Sequence, residues 1–128
     1  MGDLLGDVIN YIIAGHLATK KDKDIFKDYS PKDPDSCICV YEYNGSAPAL
    51  FTDMSVRSVQ ITVRARNSTE AKPKCWALYK LLRKEDLLIQ LGNRKCIIST
   101  RNTPLKIGVD EKQRVIWAFN LGITTNFD

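Results

Sequence analysis

The chain has 128 residues, of which 44% are hydrophobic and 27% are charged. This is the composition of an ordinary soluble globular protein, and it excludes an intrinsically disordered or fibrous class. The length allows one hydrophobic core, so we predict a single domain over residues 1–128.

The net charge of +4 is distributed unevenly along the chain. From Arg57 to Lys106, twelve Lys and Arg residues stand against three acidic residues, which gives a local charge of +9. The remaining seven basic and twelve acidic residues leave the rest of the chain at −5. Such a split is typical of nucleic-acid contact, or of complementary patches through which copies of one protein meet head to tail.

The N-terminal segment is predicted to form an amphipathic helix that ends at Gly15. Its apolar residues recur at helical spacing, and Asp3 and Asp7 lie where negative charge stabilises the start of a helix. From about Lys20 to Asp35 the chain mixes Lys and Asp with two prolines, which indicates a surface connection. The apolar residues that we expect to hold this connection to the core are Ile25, Phe26 and Tyr29.

Two strands are predicted in the middle of the chain. The segment from Cys37 to Tyr43 is rich in β-branched and aromatic residues, and Asn44-Gly45 begins a loop that runs to about Met54. The segment from Val56 to Arg66 alternates with period two and would extend for about 30 Å, which is long for a domain of this size. We expect its apolar face in the core and its other face in water or in an interface.

A second helix is predicted after Asn67 or Ser68, either of which can cap it. Pro73 suggests a later start near Lys72, because proline beyond the first turn removes a backbone hydrogen bond. The apolar stripe of this helix consists of Ala71, Cys75, Leu78, Tyr79 and Leu82. Three further strands follow in the prediction, over Lys95 to Thr100, Pro104 to Val109 and Val115 to Thr125.

This order of elements predicts an α+β fold. It is a mostly antiparallel or mixed β-sheet flanked by two helices, in the order α-β-β-α-β-β(-β). No apolar segment approaches the length of about 20 residues that a bilayer requires. The first residues lack the basic segment of a secretory signal, so we expect a cytoplasmic protein without a membrane span.

The sequence offers little support for catalysis or for a bound cofactor. A nucleophilic triad needs a base beside the nucleophile, and the one histidine, His16, follows the end of the first helix. The glycines are scattered rather than grouped in a phosphate-binding loop. We therefore predict a protein that is not an enzyme, with no catalytic residues and no cofactor.

The four cysteines are predicted to be buried, reduced thiols. Cys37 and Cys39 alternate as strand residues do, whereas a zinc site typically combines closely spaced cysteine pairs with further Cys or His ligands. A metal site is the minor alternative.

Three arginines on or beside the long strand are candidate contact residues: Arg57, Arg64 and Arg66. They are compatible with a solvated strand face, with a protein interface, or with contact to nucleic acid. Base stacking requires aromatic residues near the basic ones, and the aromatic residues of this chain are not interleaved with these arginines. The first two interpretations are therefore favoured.

Several segments, taken in chain order, carry a resemblance to a known family. They are the short apolar first helix, Ile25-Phe26, the run from Ile38 to Pro48, the run from Val59 to Ala65 leading into a helix with Ala71, and Asp110-Glu111 before Trp117-Ala118-Phe119-Asn120. In this order they resemble the minor capsid or tail-terminator (head–tail joining) proteins of long-tailed siphophages.

The resemblance implies a non-enzymatic virion protein that assembles into a hexameric ring, terminates the tail tube and presents the surface to which the filled head docks. The expected partners are other copies of the chain, the tail tube protein and head–tail connector proteins, while the genome passes through the ring without specific contact. The protein would lie in the host cytoplasm during assembly and in the tail or neck of the virion afterwards. A head-completion or neck protein and a small basic nucleic-acid-binding module are the alternatives.

Overall fold

The computed structural model describes residues 3–45, 54–84 and 88–126. The two helices are α1 (Leu4–Ala14) and α2 (Ser68–Leu82). The strands are β1 (Ile25–Lys27), β2 (Cys37–Gly45), β3 (Met54–Ala65), β4 (Leu88–Leu91), β5 (Arg94–Thr100), β6 (Leu105–Val109) and β7 (Val115–Asn126).

All of these strands belong to one mixed sheet, in which six strands follow the order β1-β2-β3-β7-β5-β4 and β6 lies off this path beside β7. β1 is parallel to β2, and the other pairings are antiparallel. β3 and β7 pair along their whole length, from Met54 opposite Asn126 to Ala65 opposite Val115. On its other side β7 is shared, because β6 pairs with its first part and β5 with its later part.

The predicted α+β fold is confirmed, with its sheet and two helices in the predicted order. Two short strands were not predicted from the sequence. β1 lies within the segment interpreted as a surface connection, and β4 precedes the predicted Lys95 to Thr100 strand. The loop predicted after Asn44-Gly45 falls on residues 46–53, outside the described part of the chain.

The second helix begins at Ser68, so the later start near Lys72 was wrong. The side chain of Asn67 caps the helix by accepting a hydrogen bond from the backbone N–H of Glu70. This cap satisfies a donor in the first turn, whereas Pro73 inside the helix removes only one backbone bond. The cap therefore determines where the helix begins.

Both helices pack on the same face of the sheet, and the hydrophobic core lies between them and the strands. The alternate residues predicted for the inward face of β3 and for the stripe of α2 are buried there, with Tyr79 partly buried at its border. Phe119 of β7 is fully buried, and its ring meets that of Tyr79 edge to face at 5.6 Å. Ile25 and Phe26 are buried as expected, while Tyr29 is half exposed and contacts the Phe26 ring.

The turn between β4 and β5 is joined to the first helix. Gly92 has a φ of +59°, a conformation that favours glycine, and the Asp7 carboxylate lies where a side chain at this position would project. The same carboxylate accepts a hydrogen bond from Arg94 Nε at 2.9 Å. Within the described residues, no helix is long and apolar enough to cross a membrane.

Candidate assembly surfaces

The sheet face opposite the helices, here called the outer face, is built in rows across three strands. Cys37 of β2, Arg64 of β3 and Ile116 of β7 are directly paired, and the register continues in steps of two residues. The sequence predicted that the polar side of β3 lies in water or in an interface. Ser58, Thr62 and Arg64 are instead buried within the chain itself, because loops and long side chains cover this part of the sheet.

Arg64 is 4% exposed and holds the loop before β2 against the outer face. Its guanidinium donates hydrogen bonds to Ser30 Oγ at 2.9 Å, to the Pro34 carbonyl at 2.6 Å and to the Asp35 carbonyl at 3.3 Å. These contacts give Arg64 a structural role inside the subunit, which its position on a polar strand face did not reveal.

Arg114, at the end of the turn before β7, holds the same loop from the other side. It donates to the Lys32 carbonyl and to the Asp35 carboxylate, and its Nε lies 2.8 Å from Asp110 Oδ2. Desolvation opposes any lowering of the pKa of Asp110, but hydrogen bonds from the Arg114 backbone and guanidinium outweigh it and lower this pKa. The loop is therefore fixed by two buried arginines, and the sequence analysis did not single out Arg114.

Arg57 forms a two-pronged ion pair with Glu42 of the neighbouring strand. Its Nε and Nη2 each lie 2.7 Å from one of the two carboxylate oxygens. Both side chains are only partly buried. Planar pairing of this kind is directional, so the two residues present one neutral polar unit at the surface.

Arg66 lies just beyond the end of β3, and its side chain is 68% exposed. Its contact with Glu70, four residues later, is a single hydrogen bond of 3.2 Å. Exposed pairs of this kind are weak, so a partner can compete for the guanidinium. The interface role predicted for the three arginines stays a prediction, and Arg66 is the one whose side chain is largely open to solvent.

The cysteines are buried, as predicted, and none forms a disulfide. Cys37 and Cys39 lie side by side on the outer face with their sulfur atoms 3.9 Å apart, and their hydrogen bond raises the pKa of Cys37 and lowers that of Cys39. Burial raises the pKa of the Cys75 thiol to about 12. In residues 3–45, 54–84 and 88–126, no three or more His, Cys, Asp and Glu side chains are grouped so as to hold a metal ion.

The aromatic residues considered for base stacking are engaged elsewhere. Trp117 packs against the core, donates a hydrogen bond from Nε1 to Ser68 Oγ, and lies under the ammonium group of Lys72. Trp76 is partly exposed on α2, where its ring contacts Tyr79. Neither indole lies on the outer face with Arg64.

Part of the charge split is neutralised inside the subunit. Arg57 and Arg94 belong to the basic stretch, yet they pair with Glu42 and Asp7 of the acidic remainder. A count along the sequence therefore overstates the charge that is free to meet a partner.

The exposed large apolar side chains lie mainly along two opposite sides of the sheet. On the β6 and β4 side they are Leu105, Ile107, Val109 and Leu88, and on the β1 and β2 side they are Tyr29 and Tyr43. The alternation of Leu105, Ile107 and Val109 is visible in the sequence, but alternation alone does not tell which residues another element covers.

A family model described as "Bacteriophage tail terminator protein" matches residues 12–127, which is nearly the whole chain. The chain belongs to the bacteriophage tail terminator family. The resemblance noted from the order of its segments is thereby confirmed, and the protein is a structural phage protein.

The fold has a counterpart among solved structures. A chain of the "Virion of native gene transfer agent (GTA) particle" superposes with a TM-score of 0.65 at 15% identity, covering 97% of this chain and 95% of that one. At this identity the similarity establishes a shared fold. None of the curated proteins compared matches the chain.

Proposed function

We propose that this tail terminator assembles into a hexameric ring that ends the tail tube and provides the surface to which the filled head docks. The family match over residues 12–127 carries the proposal. Its partners are then other copies of the chain, the tail tube protein and the head–tail connector proteins. The ring forms in the host cytoplasm and remains in the neck of the virion, and the genome passes through it without sequence-specific contact.

A ring of identical subunits needs two different surfaces that fit each other, because each contact in the ring is heterologous. The opposite sides of the sheet differ in their exposed side chains, which meets this requirement. The work of such a protein is binding, and we propose that it has no catalytic function.

Electron microscopy of negatively stained tail tubes, incubated with and without the purified protein, tests the proposal. We expect rings about as wide as the tube, or tubes that carry extra density at one end and stop growing when tube subunits are added. Tubes that elongate equally in both samples, with unmodified ends, would refute it.

The predicted contact arginines are tested by Arg66→Glu, because Arg66 is exposed and its reversal leaves the core intact. We expect weaker self-association by analytical ultracentrifugation. Lys80→Glu on the exposed side of α2 makes the same change in net charge and is the matched control. Equal self-association of the two variants and the wild type would remove Arg66 from the interface. We propose that Arg57 contacts a second subunit only as part of its ion pair with Glu42. Arg64 is proposed to act indirectly, through the loop before β2 that it holds in place.

A further inference from the structure

The short strand β6 has exposed apolar side chains at one side of the sheet. Leu105, Ile107 and Val109 are 47%, 51% and 46% exposed, and β6 pairs with β7 alone among the described strands. The register of β6 shifts between Lys106 and Gly108, so Leu105 lies opposite Ala118 of the outer face and Val109 lies opposite Val115 of the core side. An exposed edge strand with apolar residues is a template for association, which soluble proteins usually block with charge or with a covering element. Here Lys106 is the only charged residue of the strand.

The opposite side of the sheet has a complementary form. β1 pairs only with residues 38–40 of β2, so the described part of β2 beyond Val40 has a strand, β3, on one side only. Tyr43 and Tyr29 flank this open portion and are 45% and 50% exposed. Aromatic side chains are favoured at protein interfaces because they bury a large area at little entropic cost.

The two sides also differ in charge. Residues 88–109, which contain β4, β5 and β6, carry four basic residues, of which Arg94 is paired with Asp7, and Asp110 and Glu111 follow directly after β6. Residues 22–43, which contain β1 and β2, carry six acidic residues against three lysines, and two of the acidic residues, Asp35 and Glu42, are paired with Arg114 and Arg57. Asp22, Asp28 and Asp33 are exposed there, as Lys106 is on β6. Opposite charges of this kind orient two surfaces and accelerate their encounter.

We propose that β6 of one subunit docks onto the β1–β2 side of a second copy of the chain, burying Leu105, Ile107 and Val109 near Tyr43 and Tyr29. This proposal rests on the ring proposed above and names the two surfaces that form its contacts. The contact is heterologous, so it repeats from subunit to subunit until the ring closes. The helices on the inner face of the sheet take no part in it.

Crosslinking between engineered cysteines tests the direction of the contact. The native cysteines are buried, so a short bismaleimide should join only new thiols such as Ile107→Cys and Tyr43→Cys. We expect a ladder of covalent oligomers from the double variant, a covalent dimer from a mixture of the two single variants, and no product from either alone. Asn10→Cys with Ile107→Cys is the matched control, because Asn10 is exposed on α1, and it should give no ladder.

Covalent dimers from Ile107→Cys alone would overturn the proposal in favour of a two-fold contact. A ladder from the Asn10 control equal to that of the test pair would overturn it as well, because it would mean unspecific collision.

The strength of the contact is tested by Ile107→Lys, with Leu105→Lys as a second variant and Asn10→Lys as the control. These half-exposed apolar residues become buried on association. Replacing one of them with Lys should therefore lower the association constant by about tenfold to a hundredfold. The melting temperature of the dilute monomer should not change. If wild-type protein caps tubes and these variants cap them equally well, the proposed surface is wrong and the proposed function stands. If the wild type stays monomeric and leaves tubes uncapped, both are wrong.

Discussion

Replacing Arg64 with alanine separates a structural role from a contact role on the polar face of β3. In the fold this side chain is 4% exposed and donates three hydrogen bonds to the loop containing Ser30, Pro34 and Asp35. Arg66, two residues later, is a matched control, because it has the same chemistry with one exposed contact.

The size of the effect follows from these contacts. Hydrogen bonds from a charged donor contribute about 1.5 to 3 kcal/mol each, but the loop residues are largely exposed and water can replace part of each bond, so we assign about 1 kcal/mol to each of the three. Loss of the buried aliphatic stem adds about 1 kcal/mol, and relief from burying the guanidinium offsets a similar amount. We expect Arg64→Ala to lower the free energy of unfolding by about 3 kcal/mol, and Arg66→Ala by less than about 0.5 kcal/mol.

Urea unfolding of dilute protein, followed by the fluorescence of Trp76 and Trp117, measures both values. A loss of about 3 kcal/mol corresponds to a melting temperature about 10 °C lower in a domain of this size. Hydrogen exchange should also show faster exchange of backbone amides in the strands next to the released loop. Equal stabilities of the two variants would refute the assignment of Arg64 as a clamp and would return it to the contact residues.

Three further predictions concern the helix cap, the core and acid stability. Asn67→Ala removes the acceptor for the backbone N–H of Glu70 and should cost about 1 kcal/mol in urea unfolding, with no loss if the cap is redundant. Phe119→Ala, at a fully buried position, should cost about 3 to 5 kcal/mol, and a loss below about 1 kcal/mol would contradict the packing described for the core. The lowered pKa of Asp110 implies stability that is present above a pH of about 4 and is lost as the pH falls further. Asp110→Asn should therefore flatten the acid limb of the stability curve, and an unchanged acid limb would exclude this carboxylate as its source.

The long elements could be predicted from the sequence because their patterns repeat many times. β3 alternates over its whole length, and α2 carries its stripe through four turns, so one misleading residue such as Pro73 shifts a predicted boundary without removing the element. β1 and β4 contain three and four residues, too few for a period. Their extended conformation depends on pairing with β2 and β5, which lie elsewhere in the chain.

Coverage of a strand face is the second property that a local pattern does not contain. Ser58, Thr62 and Arg64 alternate as solvent-facing residues do, and the alternation correctly identifies their side of the sheet. Their burial arises from a loop roughly 30 residues earlier and from Arg101, which lies over Gly122 and donates to Ser58 Oγ. For the same reason, the local pattern does not show that the apolar residues of β6 remain exposed.

The uneven charge of the sequence and the two-sided sheet lead to the same constraint on assembly. Arg57 and Arg94 form ion pairs with Glu42 and Asp7 inside the subunit. The charge that a partner can meet therefore depends on where the remaining charged side chains lie in the fold. Exposed Asp22, Asp28 and Asp33 lie on the β1 and β2 side, and exposed Lys106 lies on β6 at the opposite side, where exposed apolar side chains also lie. A contact between such sides combines complementary charge with the burial of apolar side chains. It leaves the helices and most of the outer face free of the neighbouring subunit. In the proposed ring, the tail tube and the head then have surfaces to bind that do not compete with ring closure.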